Sequence, residues 1–97
     1  MYLTPHELDT IRAYFRTKPV RQAWLFGSYA RGEATVDSDV DLLVNVDYPQ
    51  LDVFDYLDWP QQLAAALGKP VDVGSNKYVL RFYQPFIDAD KQLIYEG

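Results

Sequence analysis

Cysteine is absent from this chain of 97 residues, which excludes disulfide bridges and thiolate metal sites. Long apolar runs are absent too: none approaches the roughly 20 residues that a membrane-crossing helix needs. Nothing at the start resembles a secretion signal, because Glu7 and Asp9 interrupt any apolar region there. The expectation is a cytoplasmic protein with no membrane contact. Basic residues are scarce, with 9 Lys and Arg against 14 Asp and Glu and a net charge of −5. General nucleic-acid binding relies on Lys and Arg to displace counterions from phosphates, so it is not expected. A nucleotide can still bind through a local site and a metal ion. An acidic surface also suits a basic protein partner.

What is present is enough apolar material for one core. Hydrophobic residues make up 48% and charged residues 24%, a globular balance. The length accommodates a single domain over residues 1–97. No internal repeat or linker interrupts it.

Helix and strand signals alternate along the chain. Thr4 can cap a helix, Pro5 suits its first position, and Glu7 completes a capping box. Leu8, Ile11, Tyr14 and Phe15 follow mostly on one face, and the helix should end near Lys18-Pro19. Val20 to Phe26 reads as a strand ended by Gly27. Ser28 to Gly32 reads as a turn of helix, and residues 33–38 as a loop. Val40 to Val46 reads as a second strand, whose Leu42-Leu43-Val44 run predicts burial on both faces. Asp47 to Gln50 is a turn. Residues 51–67 have helical composition, but Pro60 predicts a break, with a helix from about Pro60 to Leu67 ended by Gly68. Val71 to Val73 predicts a short third strand. Gly74-Ser75-Asn76 reads as punctuation, with Ser75 or Asn76 capping another helix. Residues 77–92 predict one or two short helices interrupted at Pro85. Leu93 to Tyr95 predicts a closing strand or a helix end.

The chemistry concentrates in two places. Asp39 and Asp41 stand two apart at the head of the second strand, so both project from one face roughly 6–7 Å apart. Carboxylates so placed repel one another unless a cation sits between them. Mg²⁺ prefers oxygen ligands and commonly joins one or two carboxylates with substrate phosphates. Gly27-Ser28, at the end of the preceding strand, forms the second place. Glycine permits a sharp turn and close approach to a ligand, and the following amides with the Ser28 hydroxyl can nest phosphate oxygens. A phosphate cradle one strand from a carboxylate pair is what phosphoryl transfer requires: positioning and charge neutralisation. Asp72, between Val71 and Val73, is the best third carboxylate, as metal ligand, general base or both.

Gly27-Ser28, ten residues, then Asp39-x-Asp41 resembles the signature of the polymerase-β-like nucleotidyltransferase superfamily. With Arg31-Gly32, Ser38 and the Leu42-Leu43-Val44 tail, the string is similar to the minimal nucleotidyltransferases. Gly68-Lys69-Pro70-Val71-Asp72-Val73 resembles their third-carboxylate region. The resemblance implies an α/β (α+β) fold, a small mixed sheet flanked by helices. It implies catalytic and metal-binding Asp39, Asp41 and Asp72, nucleotide contacts from Gly27 and Ser28, two Mg²⁺ ions and ATP as substrate. In the best-understood branch it implies an antitoxin that transfers AMP to a tyrosine of a HEPN-domain toxin partner.

Other residues read more plainly. Arg31 can contact the triphosphate or brace its loop against an acid. Ser38 reads as a loop cap, Asp37 and His6 as surface residues. Asp47, Asp52, Asp55 and Asp58 form an acidic face. Two rival readings remain at this point: an antitoxin that only occludes its toxin, and a small-molecule nucleotidyltransferase working with a separate subunit.

Overall fold

The computed structural model describes residues 1–75 and 84–97. A 12-residue helix, α1 (Pro5–Arg16), opens the fold. Its capping box forms in full: Thr4 Oγ1 accepts from the Glu7 amide at 3.1 Å, and Glu7 Oε1 accepts from the Thr4 amide at 2.9 Å. Strand β1 (Val20–Phe26) follows, then the single-turn helix α2 (Ser28–Arg31) and strand β2 (Val40–Val46). A 3₁₀ turn (Tyr48–Gln50) leads into α3 (Val53–Leu67), β3 (Val71–Ser75), α4 (Gln84–Asp90) and β4 (Gln92–Glu96).

The four strands form one mixed sheet in the order β3-β2-β1-β4. β1 is antiparallel to β2 and β4, while β2 and β3 run parallel, joined through α3. The expected small mixed sheet with flanking helices is therefore the architecture. Helices α1 and α3 share one core with the sheet, through Ile11, Phe15, Trp59 and Leu63 against Ala23, Leu25, Leu42 and Val44. Leu42, Leu43 and Val44 are all buried, as the apolar run predicts. Alternation places Leu43 on the opposite face, outside that core cluster.

Three expectations need correction. Pro60 does not break α3, which runs unbroken from Val53 to Leu67. Asp52 caps its start by accepting from the Phe54 and Asp55 amides, and Gly68 closes it in the left-handed conformation. Proline in a helix interior costs about 3 kcal/mol. Trp59 and Leu63, one on each side of Pro60, are wholly buried, and burying two such side chains offsets that cost. Gly74 and Ser75 do not punctuate either: they extend β3, paired with Leu43 and Val44. Asn76 lies outside the described residues, as do residues 77–83 of the predicted helical stretch over 77–92. Pro85 does not interrupt the part that is described, since it stands in the first turn of α4. There its missing amide costs no intrahelical hydrogen bond.

Candidate active site

The sheet brings the ends of three strands side by side. Phe26, the last residue of β1, is the register partner of Asp41 on β2. Asp41 is in turn the register partner of Asp72 on β3. Register partners point to the same face, so Asp41 and Asp72 are neighbours across a parallel pair. Asp72 is exposed, flanked by half-buried Val71 and Val73. Asp39 is exposed too, one residue ahead of β2 rather than within it.

Gly27 makes the turn out of β1. Its φ of +74° is a conformation that L side chains rarely adopt. The Asp41 carboxylate lies against it: a Cβ at Gly27 would stand 2.3 Å from Asp41 Oδ2. The glycine is therefore required twice, by its dihedral and by its neighbour. Its carbonyl accepts from the Ala30 and Arg31 amides and starts α2. Ser28, first in α2, is half-buried beside it.

Asp41 is half-buried, and burial is the main reason its carboxyl is pushed up to about 6. The charges of Asp72 and Asp39 push in the same direction, and Arg31 opposes them. Asp41 thus feels both of the other candidate carboxylates. Among the described residues, no group of three or more His, Cys, Asp or Glu side chains closes into a ready-made metal cage. Mg²⁺ does not need one, because it keeps several waters and takes one or two carboxylates together with substrate phosphates. A half-buried carboxylate under repulsion from two others fits such an ion.

Arg31 serves its neighbours. Its Nε donates to Glu33 Oε2 at 2.9 Å and its Nη1 to Asp90 Oδ2 at 2.5 Å. These bonds brace α2 against the loop and the end of α4, while the same charge acts on Asp41. Ser38 braces its loop, its Oγ accepting from the Thr35 amide at 2.9 Å.

One supporting group escaped the sequence reading. Lys69 Nζ meets Glu7 Oε2 at 3.1 Å and donates to Tyr29 Oη at 3.3 Å, 5.1 Å from the centre of that ring. Tyr29 follows Ser28 in α2 and is 1% exposed. Lys69 thereby ties the α1 cap and α2 to the approach of β3. Partners this far apart in the chain leave no local sequence signal.

Residues 8–95 match the family described as nucleotidyltransferase domain. The chain belongs to that family. A Methanocaldococcus jannaschii relative named "Putative protein adenylyltransferase MJ1379" is 37% identical over 81 residues, spanning 78% of this nucleotidyltransferase and 76% of its own length. Solved structures share the fold. A toxin–antitoxin crystal structure with AMP-PNP superposes with a TM-score of 0.80 at 23% identity, covering 93% of this chain and 73% of the other. The MNT antitoxin complex with the tri-AMPylated Shewanella oneidensis HEPN toxin gives 0.73 at 20% identity, with coverages of 95% and 71%.

Proposed function

We propose that this nucleotidyltransferase moves AMP from ATP to a tyrosine hydroxyl of a HEPN-domain toxin and so acts as its antitoxin. The observation that carries the chemistry is the meeting of Asp41 with Gly27 on one side and Asp72 on the other. The choice of acceptor rests on the relative named as a protein adenylyltransferase and on the fold shared with an antitoxin bound to an AMPylated HEPN toxin.

In this reading Gly27 lets the triphosphate approach the backbone, and the Ser28 hydroxyl with the following amides holds phosphate oxygens. Arg31, fixed by Glu33 and Asp90, adds positive charge beside them. Two Mg²⁺ ions, held by Asp39, Asp41 and Asp72, would supply charge neutralisation at the α-phosphate. The acceptor oxygen forms a bond to the α-phosphorus as the bond to the pyrophosphate oxygen breaks. Asp72, exposed at the sheet edge, takes the phenolic proton. AMP ends on the tyrosine and pyrophosphate leaves.

Radiolabel transfer tests the reaction. With ATP labelled at the α-phosphate, the HEPN partner gains label; with the γ-label it does not. Label from the γ-position would mean phosphate transfer and would refute the reading.

A further inference from the structure

The first turns of α3 carry an apolar patch in solvent. Val53 is 60% exposed, Phe54 82% and Leu57 65%. Spacings of three and four residues put Val53 and Phe54 beside Leu57 on one side of the helix. Large apolar side chains grouped in water mark interaction sites. The patch continues into a groove of ≈ 230 Å³ lined by Val46, Tyr48, Leu51, Val53, Tyr56 and Ser75. The groove meets β3, the edge strand of the sheet, at its last residue Ser75, on the core side of the sheet and away from the face that Asp41 and Asp72 share. Tyr56, one of its walls, donates to the Val73 carbonyl at 3.5 Å, and its phenol pKa is raised by burial, Tyr48 and Asp72.

Acidic residues outnumber basic ones around this surface. Residues 47–58, which carry it, contain four of the 14 acidic residues and not one Lys or Arg. Asp52, the cap residue of α3, and Asp58 within it, both exposed, flank the apolar trio. Lys18 reaches in from outside this stretch to pair with Asp55, and Arg21 with Asp47. A partner that fills the groove with apolar side chains therefore meets an acidic rim and gains by presenting Lys or Arg around them.

We propose that Val53, Phe54 and Leu57, with the groove behind them, dock a basic-rimmed apolar surface of the protein acceptor. This rests on the reading of the acceptor as a HEPN-domain protein and assigns the surface that holds it.

The test uses the full chain purified with the HEPN protein, in wild-type, Phe54→Ser/Leu57→Ser and Asp58→Lys forms. Exposed positions tolerate these changes, and circular dichroism with thermal melting checks the fold. The double variant is expected to weaken the complex by about 100-fold and Asp58→Lys by about 10-fold. The thermal shift given by ATP with Mg²⁺ stays at its wild-type value in both. A double variant that binds the HEPN protein as tightly as wild type overturns the proposal. So does sedimentation in which the double variant turns a dimer of the free chain into a monomer, because a second copy then fills the groove. A wild-type complex that forms but transfers no AMP sinks the reaction alone and leaves the surface standing. A wild-type chain that forms no complex overturns both.

Discussion

Gly27 and the Asp41 carboxylate are in such close contact that a methyl group on the glycine would fall 2.3 Å from Asp41 Oδ2. Gly27→Ala must therefore displace the carboxylate and also hold a positive φ. The expected result is a loss of about 1–2 kcal/mol of stability and at least about 100-fold in AMP transfer. Urea unfolding and single-turnover rates measure the two effects. A variant with wild-type turnover would show that Asp41 works from another position.

The raised pKa of Asp41 predicts a pH-dependent gain from its removal. The folded chain holds the Asp41 proton up to about 6, above the ordinary carboxylate value of 3.8. Its contribution favours folding in acid and is lost as pH rises through about 6. Near pH 7 the ionised, crowded carboxylate is a net cost, about 1 kcal/mol once solvent screening of a half-exposed group is allowed for. Asp41→Asn should therefore raise the melting temperature of the metal-free protein at pH 7 and leave it unchanged at pH 4. Melts in chelator at both values decide this. Destabilisation at pH 7 would contradict the account.

Pro60 leaves the Tyr56 carbonyl of α3 without an intrahelical donor, because proline has no amide hydrogen. Pro60→Ala should stabilise the protein by about 1–3 kcal/mol without altering AMP transfer. Denaturant midpoints provide the measurement. A destabilised variant would mean that the proline ring has a packing role that outweighs the missing bond.

Lys69 joins Glu7 to Tyr29. Lys69→Met should cost about 1 kcal/mol. A double-mutant cycle with Glu7→Gln should return a coupling of about 0.5–1 kcal/mol. Strict additivity would show that the pair contributes nothing to holding α1 against β3.

The sequence was most legible where chemistry is local. The capping box at Thr4 and Glu7, the bounds of β1 and β2 and the buried Leu42-Leu43-Val44 run follow from patterns a few residues wide. Alternation also put Asp72 on the side of β3 away from Val71 and Val73, and the register adds that Asp41 is its partner. Pro60 misled because propensity knows nothing of Trp59 and Leu63 buried beside it. Ser75 read as a cap because its alternative, pairing with Val44 in a parallel strand, depends on the sheet. The Lys69 bridge and the groove between Tyr56 and Val46 arise from tertiary placement alone. Asp39 was expected on the β2 pleat with Asp41; it stands just before the strand, and its charge still reaches Asp41.

The most direct test of the central claim is the intact mass of the HEPN partner after incubation with ATP and Mg²⁺, with Asp39→Asn/Asp41→Asn as control. The account predicts a gain of one or more AMP units with the wild-type chain and none with the variant. An unchanged partner mass, with the partner still bound and inhibited, would contradict it and assign the antitoxin effect to occlusion.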